Sequence, residues 1–361
     1  MRNPELESEI LKANHDAGAY TVYADWLLAN GDARGELIVR AIQDRDPDAY
    51  LAEHREELLG RFATFDGTLE LTWRNGFVKS ATMGWEIFSG EDEDDTSASQ
   101  LEAFLRLDVC ALIDELNLGP TAHEDELMLD ELAGAIDAVK PIGLTKLYLG
   151  DIDNWDISGT YSRLPHNDSL PAIREVTIHG GNLDLGAQID LPLCQKFAVQ
   201  SGQLAAGDLK TIAAAKLPAV EHLEIWFGDP NYGATGGVDD IAPLFQRTDF
   251  PKLTSLGLMN CAFADALVAH LADTPMLRQL RRLDLSMGNL SNAGIAAMGA
   301  KRDRFRHLEF MNLDDNALTE ASREQATGLA AGVIFGPEQS PDRAVPRAEG
   351  QRYWRFVSVG E

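Results

Sequence analysis

The chain is short of positive charge. Its 361 residues hold 31 Lys and Arg against 58 Asp and Glu, a net charge of −27. That balance argues against non-specific nucleic-acid binding, which needs cations to displace counterions from phosphate. It also argues against docking on anionic lipid. Cysteine is equally scarce. Cys110, Cys194 and Cys261 are far apart, with no CxxC pair and no dense framework, so reduced thiols in a cytoplasmic setting are expected. No run of 18 apolar residues exists to span a membrane. The opening "MRNPELESEILKANHD" carries acids and no apolar core of a signal peptide.

What the chain does have is internal repetition. Leu280-x-x-Leu283-x-Leu285 leads to Gly288 and Leu290; Leu253-x-x-Leu256-x-Leu258 leads to Cys261 and Phe263. Leu308-x-x-Met311-x-Leu313 leads to Asn316 and Leu318. All three fit the leucine-rich repeat, L-x-x-L-x-L-x-x-N/C-x-L. Weaker copies begin at Ile113, Leu144, Ile173, Cys194 and Val220, and a degenerate first copy at Val78 in "FVKSATM". That makes about nine, with starts 21 to 35 residues apart. The alternating apolar positions point inward from a short strand, and the Asn or Cys position turns the chain.

Helical segments follow several strands: "HEDELMLDELAGAIDAV", "ADALVAHLA" and "SNAGIAAMGAK". Strands stack about 4.8 Å apart and helices need about 8–10 Å. The expected fold is therefore α/β: a leucine-rich-repeat solenoid, a horseshoe resembling the ribonuclease-inhibitor type, with a small N-terminal helical head. Two stretches interrupt it. The acidic Ser89–Gln100 reads as a loop, and Trp226–Asp240, rich in Gly and Asp, is expected to leave the sixth strand at its C-terminal end.

Ahead of the repeats, Val22, Tyr23, Trp26 and Leu27 form one helical face, ended by Asn30-Gly31. Asp32 is placed to cap the next helix, and Asp46-Pro47 to start a third running on to Phe62. This stretch, "VYADWLLANGDARGELI", resembles the short repeat-companion domain of bacteria. Proteins carrying that domain often continue with a "WRxGF" strand and a repeat array; here "LTWRNGFV" covers Leu71–Val78. "GDPNYG", "LDLSMGNLS" and the terminal "RYWRFVSVGE" are also similar to a bacterial leucine-rich-repeat family of unknown function. The resemblance implies a fold and a domain pairing, and no catalytic residues. The expected division is a head and N-terminal cap over 1–62, an array over 68–335, and a linker with a capping strand over 336–361. The head serves as a cap docked on the first repeat, or recruits a partner through Asp25, Asp32, Arg34 and Glu36.

No catalytic constellation emerges. "DIDNWD" (Asp151–Asp156) lacks the Gly and Glu of a calcium loop. "GATGG" (Gly233–Gly237) lacks the Lys-Ser/Thr of a phosphate loop and reads as a flexible loop, and "AHEDE" around His123 reads as a helix start. Cys194 and Cys261 occupy inward repeat positions. No cofactor and no metal is expected.

The concave strand positions are the candidate site. The side chains assigned to partner binding are Tyr148, Thr177, His179, Glu224, Trp226, Tyr232, Met259, Arg282, Asp284, Phe310 and Asn312. Aromatics and Arg at such positions favour binding hot spots. The competing reading is that Trp226 lies under its own following loop and Phe310 under the C-terminal cap. The expected function is a non-catalytic protein-binding scaffold with a protein partner, and the net charge favours a basic one. The alternatives are an immunity or regulatory protein neutralising a basic partner, and an enzyme with its site in the inserted loops.

Overall fold

The computed structural model describes residues 1–335 except 66, 85, 86, 88–95, 119–121, 124, 125, 128, 151–158, 161–167, 182 and 187. The expectations for Asp151–Asp156 and for the terminal strand lie outside the described residues, as does most of the acidic stretch. The chain is a mixed α/β protein that divides into two compact units. Unit 1 holds Met1–Glu124, Met128–Gly150 and Pro165–Arg174; unit 2 holds Asp125–Leu127, Asp151–Leu164 and Glu175–Glu361.

Unit 1 opens with five helices: α1 (Pro4–Lys12), α2 (Ala17–Ala29), α3 (Arg34–Ile42), α4 (Pro47–Glu53) and α5 (Arg55–Leu59). Helix α1 has its own start signal, an Asn3 side chain accepting from Leu6 N with Pro at the first position. The third head helix, expected to run from Asp46 to Phe62, is divided. Asp46 caps α4 as its sequence implies, but α5 follows at Arg55, and Gly60 opens a 3₁₀ turn, Gly60–Thr64, with φ of 53°.

A hairpin follows, β1 (Leu69–Arg74) and β2 (Phe77–Met83) paired antiparallel. Its turn is Asn75-Gly76, both at positive φ (45° and 80°), the dipeptide that two-residue hairpins favour. A side chain at Gly76 would also lie 2.8 Å from Ile38 Cγ1. Strands β3 (Glu115–Leu118) and β4 (Lys146–Leu149) then add in parallel to β2. Phe77 ties the helices to the hairpin. It stacks on Tyr23 at 5.5 Å between ring centroids and tilts against Tyr20 at 6.1 Å. Ile10, Ala24, Leu27, Ile38, Ala111 and Leu112 complete that cluster.

Two local expectations change here. Helix α6 (Ser97–Leu105) takes in the end of the acidic stretch, because Thr96 accepts from Ser99 N and Leu101 and Phe104 are fully buried. Helix α7 (Leu129–Val139) begins at Leu129, not at His123. The apolar period that holds it, through Leu132 and Ile136, starts only there. Ala122–His123 and Glu126–Leu127 are two-residue strands instead.

Unit 2 is dominated by seven parallel strands in chain order: β5 (Glu175–His179), β6 (Lys196–Gln200), β7 (His222–Gly228), β8 (Ser255–Cys261), β9 (Arg282–Asp284), β10 (Phe310–Asn312) and β11 (Gly332–Ile334). The repeat leucines form rows across them. Val176, Phe197, Leu223, Leu256, Leu283 and Met311 are in register, each at most 3% exposed. Helices α8 (Ala206–Ala214), α9 (Val238–Phe245), α10 (Ala264–Leu271), α12 (Asn292–Ala300) and α14 (Glu320–Ala326) pack on one another in succession. Short helices α11 (Pro275–Gln279) and α13 (Arg302–Phe305) precede β9 and β10.

The turn position of the repeat is satisfied inside the stack. Asn316 is fully buried. Its Nδ2 donates to the carbonyls of Leu285 (2.7 Å), Asp314 (3.1 Å) and Leu313 (3.2 Å), and its Oδ1 accepts from Leu290 N (3.0 Å). All three cysteines are buried free thiols, and burial raises the pKa of Cys110 and Cys261 well above the usual thiol range. That leaves negligible thiolate for nucleophilic work.

Candidate binding face

Alternation along β5–β10 puts every second side chain on the face opposite the leucine rows, and the register aligns them across strands. One row reads Glu175, Lys196, His222, Ser255, Arg282, Phe310. The next reads Thr177, Ala198, Glu224, Gly257, Asp284, Asn312. A third pairs His179 with Gln200 and Trp226 with Met259. The parallel sheet thus brings nine of the eleven candidates onto one face of unit 2. Tyr148 belongs to unit 1, half-buried and in register with Asn117, which is in turn in register with Thr82. Tyr232 sits off the sheet, 40% exposed on the 3₁₀ turn Pro230–Tyr232.

These side chains are held, not loose. Glu224 Oε1 accepts from Trp226 Nε1 (2.7 Å) and Gln200 Nε2 (2.8 Å). Gln200 Oε1 lies 3.2 Å from His179 Nδ1, whose ring meets Trp226 edge-on at 6.4 Å. On β9, Asp284 Oδ1 accepts from the backbone N–H and hydroxyl of Ser286, and Asn312 Nδ2 donates to Oδ2 at 2.9 Å. Arg282 is exposed, with its guanidinium 5.6 Å from the centre of the Phe310 ring. Phe310 itself is half-buried.

Two candidates are covered. His179 is fully buried, and Trp226 is 8% exposed. Period-two patterning cannot tell a strand position open to solvent from one roofed by neighbours, and here the large rings roof each other. What remains open on this sheet face of unit 2 is Thr177, Glu224, Met259, Arg282, Asp284, Phe310 and Asn312. The in-register positions of β5–β10 carry three carboxylates (Glu175, Glu224, Asp284) and two cations (Lys196, Arg282). This face is therefore close to neutral in a chain of net charge −27.

The segment after Trp226 is built, not slack. Strand β7 continues through it to Gly228, where Gly202 crosses. Asp229 is buried and accepts from Asn231 N and Nδ2, both at 2.8 Å. Gly236 N donates to Leu204 O. The glycine-rich run expected to be a flexible loop is thus a bonded turn leading into α9.

In unit 1, a polar cleft of about 320 Å³ is lined by Asn30, Asp32, Arg34, Glu57 and Asp108, among others. Arg34 is 2% exposed and spends its donors inward, on Asp32, on Asp108 O at 2.9 Å and on Met1 O. Of the residues considered for recruitment, Glu36 pairs with Arg40 and Asp25 is exposed. Among the described residues no group of three or more His, Cys, Asp or Glu is arranged to hold a metal ion. No helix among them is long and apolar enough to cross a membrane.

No family model matches the chain, and no curated protein does. Solved structures do. A protein from Bacteroides fragilis is similar over 72% of both chains, with 21% identity and a TM-score of 0.59. The leucine-rich repeat-containing protein LegL7 from Legionella pneumophila matches 62% of this chain and 83% of its own, with 15% identity and a TM-score of 0.33. The first likeness supports the fold and says nothing of function.

Proposed function

We propose that this chain is a non-catalytic scaffold of the leucine-rich-repeat type, ribonuclease-inhibitor-like with about nine repeats, that holds a protein partner on the exposed face of β5–β10. One observation carries the reading: polar and aromatic side chains stand in register across that sheet, with an exposed Arg282 stacked on a half-buried Phe310. Arg and aromatic residues dominate binding hot spots, and repeat arrays present extended faces of this kind. The three buried thiols suit a reducing cytoplasm, and the helical head over 1–62 serves as the N-terminal cap.

The near balance of charge on the face favours this over neutralisation of a basic partner by net charge. The test is partner capture with the full chain and with Arg282→Ala and Phe310→Ala, each checked for an unchanged thermal midpoint. Loss of capture by folded variants supports the site; capture at the wild-type level by both removes it.

A further inference from the structure

The chain's negative charge is not evenly spread. Between Asp273 and Phe310 there are seven cations, Arg278, Arg281, Arg282, Lys301, Arg302, Arg304 and Arg306, against four carboxylates. This stretch is therefore net positive inside a chain of net charge −27.

The fold gathers these cations. Helices α11 and α13 pack together, and His307 Nε2 lies 2.8 Å from Leu277 O. Each short helix precedes a strand, so Arg281 and Arg282, at the entry to β9, lie beside Glu309 and Phe310 at the entry to β10; Glu309 N and Phe310 N both donate to Arg281 O, and Arg281 pairs with Glu309 at 3.3 Å. Asp273 shows the local field. Lys301 Nζ reaches it at 2.6 Å and Arg304 Nε at 3.8 Å. The hydrogen bond from Lys301, helped by the charges of Lys301, Arg304 and Arg278, holds its carboxyl below the usual range. Several cations thus share one exposed carboxylate. Arg302 adds a further charge that is bonded to neutral carbonyls, those of Gln325 and Thr327.

We infer that this rim, formed by α11, α13 and the first residues of β9 and β10, receives an acidic Asp/Glu-rich segment of the partner. The inference rests on the sheet-face reading, because Arg282 belongs both to the rim and to the open row ending at Phe310. Net charge alone points to a basic partner. Across one Debye length, roughly 8 Å at physiological salt, an approaching segment feels the local cations more than the distant acids. Charge complementarity of this kind sets association rate and orientation.

The test uses the full chain and fluorescence anisotropy. The probes are a labelled 14-residue Glu/Asp-rich peptide, a Lys/Arg-rich peptide of equal length and a single-stranded oligothymidine. The acidic peptide should bind tightest at 50 mM salt and weaken at least tenfold by 300 mM. Arg304→Glu with Arg306→Glu should weaken it tenfold or more. Asp273→Asn, a change at an exposed side chain, should tighten it several-fold, a gain that misfolding cannot mimic. Met259→Ala, on the sheet face at β8 and off the rim, should leave peptide affinity nearly unchanged. A failed sheet-face reading then appears as unaltered partner capture in that variant, separate from the rim result. Equal binding of the basic peptide, tighter binding of the oligonucleotide, or no effect of the paired reversal in a folded protein would overturn the inference.

Discussion

Arg34 and Asp32, two positions apart, meet side by side: Nε donates to Oδ1 at 3.0 Å and an Nη to Oδ2 at 2.6 Å. The same Asp32 Oδ1 accepts from Arg34 N at 3.0 Å, starting α3. With Arg34 2% exposed and its guanidinium 5.7 Å from the Phe77 ring centre, the pair joins the helices to the hairpin within unit 1. Lysine cannot reproduce a planar fork of donors. Arg34→Lys should destabilise the protein by about 2 kcal/mol and Arg34→Ala by about 3–5 kcal/mol, the range for breaking a buried pair. Urea midpoints at constant slope check this; an Arg34→Ala midpoint equal to wild type would show that the pair holds nothing together.

Asn316→Ala removes donors from three carbonyls and the acceptor for Leu290 N, all inside the stack. Each buried group left without a partner costs about 1–3 kcal/mol. A loss of about 3 kcal/mol is expected. Hydrogen exchange should speed up most at Leu290 N, whose acceptor is gone. Uniform acceleration along the chain would contradict the local account.

Much of this was legible in the residues, for a physical reason. Burial in unit 2 follows the leucine period because the strands are short and each must cover its neighbour; Leu256, Leu283 and Met311 sit where L-x-x-L-x-L puts them. Asp46-Pro47 starts α4, as a capping Asp followed by Pro dictates. The signal for the β1–β2 hairpin is Asn75-Gly76, which lies inside "WRNGF", so a reading of that run as one strand passes over the turn. Helix α1 carries its start signal in Asn3-Pro4, which the acidic composition of the segment masks. The open face was the least legible part. Whether Trp226 faces solvent depends on Glu224, Gln200 and His179 from three strands, and no local pattern encodes that.

Acid should loosen unit 1 through Asp114. Burial alone would raise its pKa, but hydrogen bonds from Thr145 and Arg74 and the charge of Arg74 bring it below the ordinary value of 3.8. A carboxylate depressed in the folded state binds its proton more readily when unfolded. Its contribution is therefore complete above about pH 4 and lost as pH falls through the folded value. Asp32, depressed by Arg34 despite its burial, has the same sign. Protonation also relieves the self-repulsion of a −27 chain, so the wild-type curve alone mixes two effects. The difference between wild type and Asp114→Asn isolates one. Stability should differ at pH 6 and converge toward pH 2.5. Parallel curves across that range would refute the assignment.

Gly228→Ala tests the crossing that closes the end of β7. Gly228 has φ of +97°, and a side chain there would lie 1.7 Å from Gly202 O. Two bonds clamp that crossing: Asp229 N to Gly202 O at 3.1 Å and Leu204 N to Phe227 O at 3.0 Å. A methyl group cannot enter without parting the two segments, and the backbone angle adds strain of its own. The loss should reach about 3 kcal/mol or more. Because Trp226 precedes the crossing by two residues, its fluorescence should shift to the red as solvent reaches the ring. Gly233→Ala is the control. Gly233 also has positive φ (+110°), but its nearest contact, Gln203 Oε1, is 3.5 Å away. The control should therefore cost no more than about 1–2 kcal/mol and leave the emission unmoved. Equal effects at both glycines would mean that backbone angle alone, and not the close approach of Gly202, makes glycine necessary at Gly228.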